Sequence, residues 1–174
     1  AAHFSNIESD APCFAQEFAP TSVAYAETQS MFMDSLMDDA DWRARYLTDG
    51  EGNPIPQSLI EEAISEAQPM RPWDVRAMLT IPMAERRLYE MSDEALQPEA
   101  VLAMFRAVEV ELQGLSAGTR PVLAVPHLLA GEASAYYHGY VMAEMAVHQT
   151  RAFFLERDGH LVDNPNVGPD LAKH

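Results

Sequence analysis

The sequence predicts an all-α fold, and three observations carry that expectation. Apolar residues recur at intervals of three and four along most of the chain, the spacing of one helix face. No two runs of alternating apolar and polar residues are joined by a hairpin turn. The twelve prolines fall mostly between the periodic stretches, where they punctuate helices.

The first helix is expected after Pro20, with Thr21 or Ser22 as N-cap, running through Val23, Ala26, Ser30, Met33 and Met37. A short helical piece spans Trp42 to Tyr46 and ends in the turn cluster Asp49 to Pro54. Gln57 or Ser58 to Ala67 reads as another helix, closed by Pro69 and Pro72. Trp73 to Met91 is strongly helical, with Val75, Met78, Leu79, Leu88 and Met91 apolar and Pro82 as a kink. Glu99 to Leu115 is the clearest amphipathic stretch. Pro98 opens it, Val101, Leu102, Phe105, Val108 and Leu112 make its stripe, and Gly118 follows. In the apolar segment from Pro121 to Pro126 the prolines argue against a central strand. His127 to Ser134 reads as a loop around Gly131, Ala135 to Glu156 as a last long helix, and the tail from Asp158 as turn-rich.

Length and composition bound what such a chain does. With 174 residues and 48% apolar content, a packed interior is expected, as one helical domain or part-domain over residues 1–174. Apolar runs are interrupted well short of the roughly 20 residues that span a bilayer, so no membrane segment is expected. The opening residues show no secretory signal, and a cytoplasmic location is expected. The single cysteine, Cys13, has no partner for an internal disulfide and reads as a thiol in a reducing compartment. A formal net charge of −16 repels phosphate backbones and anionic lipid, so neither nucleic acid nor membrane surface is an expected partner.

Two stretches carry residues of chemical interest. Glu27 lies in a helix among mostly apolar neighbours and shares a face with Ser30 and Asp34, at i, i+3 and i+7. This face is either a solvated polar stripe or the seat of a metal-ligating or catalytic carboxylate. From His127 to Tyr140, three tyrosines and two histidines crowd into fourteen residues beside Gly131 and a helix start. Tyrosine hydroxyls and imidazole nitrogens are the donors that stabilise a developing oxyanion. Aromatic core packing with polar tips reaching water accounts for the same composition. The six histidines include no pair spaced i, i+4, and there is no H-E-x-x-H, nucleophile elbow, phosphate-binding Gly loop or CxxC. A self-contained zinc site is therefore not expected.

Together the two stretches resemble the thimet oligopeptidase and oligopeptidase F family of zinc metallopeptidases. Ala24-Tyr25-Ala26-Glu27-Thr28-Gln29-Ser30-Met31-Phe32-Met33-Asp34 looks like the segment that follows that family's H-E-x-x-H helix and carries its third zinc ligand. Glu27 falls on the ligand position, and Asp34 matches an acidic residue seven positions on. His127, Gly131, Tyr136, Tyr137 and Tyr140 are similar to the family's histidine, Gly-rich loop and tyrosines entering a helix. His3 matches a further histidine just beyond the zinc motif, so the chain aligns with the part of the catalytic domain after that motif.

The resemblance implies the multi-helical C-terminal portion of a zincin-type oligopeptidase catalytic domain. It implies zinc-dependent hydrolysis of short peptides by the intact protein, with Glu27 as metal ligand and His127, Tyr137 and Tyr140 stabilising the tetrahedral intermediate. Gly131 and Tyr136 would contact substrate, and both Tyr136 and Tyr137 stand as candidates to face it. The two zinc histidines and the catalytic glutamate are not in the chain, so its partner would be the N-terminal part of the same protein, and the piece alone is expected to be inactive. Further departures from the pattern are a loop with one glycine where relatives often have more, with Glu132 where a small residue is common, and a His127-to-Tyr140 spacing about one residue longer than in close relatives, which leaves Tyr136 and Tyr137 interchangeable. The alternative is a helical binding or interaction module without chemistry.

Overall fold

The computed structural model describes residues 22–114, 122–128 and 131–171. His3, Cys13, Thr21, Leu115, Gly118 and Pro121, named above, lie outside them. All regular structure among the described residues is helical, and the one β feature is an isolated bridge between Thr48 and Pro54. None of these helices is long and apolar enough to cross a membrane. The chain divides into two compact units, one drawn from Ala1–Pro69 and Met142–His174, the other from Met70–Val141.

In the first unit, helix α1 spans Val23–Ser35 and continues as a 3₁₀ turn, Leu36–Asp38. Ser22 holds the extended N-cap backbone, but its side chain makes no cap hydrogen bond. Capping chemistry is strong one element later. Asp39 Oδ1 accepts from the backbone N–H of Asp41 at 3.0 Å and of Trp42 at 3.3 Å, opening α2, Ala40–Tyr46. The second oxygen of Asp39 takes Arg151 at 2.9 Å, and Arg151 also donates to the Ser35 carbonyl at 3.0 Å. Arg151 belongs to α6, His138–Asp158, whose residues from Met142 onward lie in this unit. Phe32 of α1, Val147 and Phe154 of α6, and Leu161 form the core here.

The Asp49–Asn53 turn is closed by Asp49 Oδ1, which accepts from the N–H groups of Glu51 and Asn53, and Gly52 supplies the left-handed φ of +86°. α3, Gln57–Ala67, follows and packs against α2, burying Ile60. The tail is turn-rich but holds a short helix, α7, Val167–Leu171. Asn164 braces the turns ahead of it, donating to Asp158 Oδ2 and to the His160 carbonyl.

Asp158 gives this tail a pH dependence. Hydrogen bonds from Arg157, then from Asn164, hold its carboxyl down at about 2, against an ordinary 3.8. A carboxylate with a depressed folded-state pKa contributes stability above its ordinary value and loses it as pH falls through the folded one. The Tm difference between wild type and Asp158→Asn is therefore expected to be present at neutral pH and to close between about pH 4 and pH 2. A gap that stays constant across that window contradicts the assignment.

The second unit is built on two helices, α4, Arg71–Tyr89, and α5, Pro98–Gln113, packed against each other after a short connection. α4 begins two residues before the expected Trp73, because Pro72 fits a first turn whose N–H groups have no helical acceptor. The helix persists through Pro82. α5 ends earlier than expected: Gly114, at φ +80°, takes the left-handed cap position that a Cβ disfavours. Gln113 bridges back to Thr80 Oγ1 at 2.9 Å and Arg87 meets Glu111 at 2.6 Å. Ile81 and Ala84 of α4 and Phe105 and Val108 of α5 form the core, completed by Val122, Val125 and Leu128.

Val122 and Val125 come from the apolar proline-flanked segment and Leu128 from just beyond it; here the chain forms no strand but two 3₁₀ turns, Val122–Ala124 and Pro126–Leu128. A third, Gly131–Ala133, leads toward α6. α6 starts at His138 rather than Ala135, because Ala135 adopts a φ of +55° that no right-handed helix contains.

Candidate functional site

The site grows out of that irregular segment, and two buried carboxylates hold its ends. Glu109, on α5 and 7% exposed, accepts the backbone N–H of Val122 at 3.3 Å. Glu85, on α4 and 4% exposed, accepts the N–H of Ala135 and, at 3.3 Å, the hydroxyl of Tyr89. An irregular segment has no helical ladder to satisfy its backbone donors, so side-chain acceptors take over that duty. Between these anchors, burial of Val122, Val125 and Leu128 leaves His127 half-buried beside the core.

Three tyrosines close around His127. Its ring centroid lies 5.8 Å from Tyr136, 5.2 Å from Tyr137 and 5.9 Å from Tyr140. Tyr136 and Tyr137 lie 5.5 and 4.9 Å from Tyr140. The first turn of α6 makes this convergence: Gly139 and Tyr140 donate their N–H groups to the carbonyls of Tyr136 and Tyr137. That brings Tyr140 above both, at i+4 and i+3. The edge-on ring arrangements are those that aromatic quadrupoles favour. Tyr137 also packs on the core cluster, so it combines the packing and polar roles that its sequence left open. His138, in the same stretch, is exposed and makes none of these ring contacts.

One polar atom of this cluster, on the histidine, is left over. Tyr140 Oη and His127 Nε2 are 3.4 Å apart, a long contact. His127 Nδ1 is buried with no hydrogen-bond partner. If the Tyr140 hydroxyl donates to Nε2, a neutral imidazole carries its proton on Nδ1, as a buried donor lacking an acceptor. In the other tautomer Nδ1 is a buried lone pair lacking a donor. Either state costs about 1–3 kcal/mol, the penalty for an unsatisfied buried polar group. Gly131, at φ +53°, provides the left-handed turn before the tyrosines, and a Cβ there would meet open space.

Glu27 lies on α1, in the first unit, whereas the His–Tyr cluster belongs to the second. It is half-buried, and the Ser30 hydroxyl donates to its carbonyl at 3.0 Å and to its Oε2 at 3.3 Å. Asp34, on the same helix, is exposed. Among the described residues no group of three His, Cys, Asp or Glu is placed to hold a metal ion. Zinc takes three or four ligands, and Glu27 offers one carboxylate, so these residues by themselves do not fit the ion.

Glu85 and Glu109 were not singled out by sequence. The signal was there: Glu85 lies between Ile81 and Leu88 at i+4 and i−3, and Glu109 lies between Phe105 and Leu112 at the same offsets. An acid on an apolar helix stripe has to find a donor inside the fold. No family model matches the chain, and comparison with curated proteins and with solved structures also found no match.

Proposed function

We propose that this chain is part of the catalytic domain of a zinc-dependent oligopeptidase, contributing a carboxylate ligand and the donors that grip a short peptide. The observation that carries the reading is the convergence of Tyr136, Tyr137 and Tyr140 on His127, whose imidazole has a buried Nδ1 with no hydrogen-bond partner. The resemblance of both stretches to one peptidase family supports it. As a scissile carbonyl becomes tetrahedral, charge builds on its oxygen, and O–H and N–H donors already in place stabilise it without reorganising. Tyr140 and Tyr137 suit that task, His127 donates or accepts beside them, and Tyr136 and Gly131 line the path of the peptide. Glu27 supplies one ligand, and the remaining ligands and the general base come from residues outside this chain. On the same reading the protein acts in the cytoplasm.

The reading has a direct test. The purified chain, incubated with zinc and a quenched fluorescent peptide, is expected to release no fluorescence, because one carboxylate neither holds the ion nor replaces the base. The intact polypeptide, bearing an H-E-x-x-H helix ahead of this chain, is expected to cleave the same peptide. Metal-dependent cleavage by the chain alone overturns the division of labour. An intact polypeptide without that helix, or one that has it and leaves peptides uncut, overturns the peptidase reading.

A second reading, a helical interaction module without chemistry, is favoured by one observation. α6 carries apolar residues all round, and Met142, Met145 and Phe153 are 55%, 63% and 53% exposed. Flexible thioethers on an open helix suit an adaptable protein contact.

A further inference from the structure

Glu85 is a carboxylate on the core side of α4, where a charged group is rarely found unless it is partnered. It accepts from two partners, the Tyr89 hydroxyl at 3.3 Å and a backbone N–H, and the second is informative. The N–H it accepts belongs to Ala135, whose φ of +55° is uncommon for a residue bearing a Cβ, and Tyr136 and Tyr137 follow directly. The preceding turn is local, with Ser134 N–H donating to the Gly131 carbonyl at 3.0 Å, and the following one is the start of α6. The direction in which the chain enters the tyrosines is thus set at Ala135, where a contact fifty residues away in sequence takes hold.

We infer that Glu85 is the positioning residue of the His–Tyr cluster: its carboxylate holds Ala135 in the left-handed conformation that turns Tyr136, Tyr137 and Tyr140 onto His127. Glu85 acts through the backbone of Ala135, and none of the ring contacts around His127 is its own. Its importance for peptide binding rests on the function proposed above, whereas the geometric claim stands on the contacts alone. The residue that matters for the donors therefore sits on a different helix from all of them.

The test compares the 174-residue chain with Glu85→Gln, which keeps an acceptor oxygen, and Glu85→Met, which keeps the volume and removes it. NMR of the His127 ring nitrogens reads the cluster, and amide hydrogen exchange at Ala135 reads the anchor. In wild type the Ala135 amide is expected to exchange slowly. In Glu85→Met that exchange accelerates at least about tenfold, the effect of losing a hydrogen bond to a charged acceptor. The His127 nitrogen shifts move toward those of an open imidazole in Glu85→Met and return in Glu85→Gln. A folded Glu85→Met with lower Tm but unchanged His127 signals reduces Glu85 to a structural residue and overturns the inference. Failure of Glu85→Gln to restore those signals does the same. If Glu85→Met does not fold, the wild-type amide decides: exchange at Ala135 as fast as in an open peptide overturns the claim. These signals are blind to peptide cleavage, so failure of the peptidase reading leaves them as they are.

Discussion

Tyr140→Phe in the intact polypeptide is expected to lower kcat by about 10²–10³-fold, the usual loss when one preorganised donor to a developing oxyanion is removed. The substitution deletes an oxygen and keeps the ring, so the contacts with Tyr136 at 5.5 Å and Tyr137 at 4.9 Å persist. His127 Nε2 loses its 3.4 Å neighbour, but that contact is long and contributes little to folding. The loss should therefore appear in kcat, with KM and zinc content little changed and Tm within a few degrees of wild type. An interaction made only in the transition state has that signature. Wild-type turnover in the variant would remove Tyr140 from the chemistry and leave the ring cluster as packing.

Phe105→Ala should cost about 3–5 kcal/mol of folding stability, the range for deleting a buried aromatic ring. Phe105 is 3% exposed at the centre of the cluster joining α4, α5 and the 3₁₀ turns. Its neighbours come from three separate stretches, so the void is poorly placed to collapse. Urea unfolding followed by circular dichroism measures the change. Leu102→Ala, on the same helix but 43% exposed, is the control and should shift stability by well under half as much. The same cluster includes Val125, Leu128 and Tyr137, so the Phe105 variant should also disturb the His127 ring signals. Equal effects of the two substitutions would mean that the cluster is not the core of its unit.

The helices were legible because their signals are local. Apolar spacing and proline placement located the five longer helices among the described residues and the short α2 to within a few residues. The misses lie where a single backbone angle outweighs periodicity. Gly114 ends α5 at a left-handed angle, although Leu112 and Leu115 continue the apolar spacing past it. Ala135 looks like a helix former and is instead the turn before one, held by a contact to Glu85 that no local pattern encodes. Within the site, the gathering of His127 with the tyrosines was readable from their crowding. The unpartnered Nδ1 was not, since an absent hydrogen bond is a property of the assembled surroundings. Half-burial of Glu27 fits a polar group on a mixed face; its spacing placed it on one face with Ser30, and the hydroxyl contact between them appears only in the structure.

The anchoring of Val122 by Glu109 and of Ala135 by Glu85 bears on the order in which this part of the molecule assembles. The two contacts span 13 and 50 positions of chain, and both acceptors are presented by helices already closed by their own short-range bonds. Looping out fifty residues is entropically expensive before there is anything to receive them. The paired helices are therefore expected to form first, as a template, with the histidine and tyrosines drawn into register last.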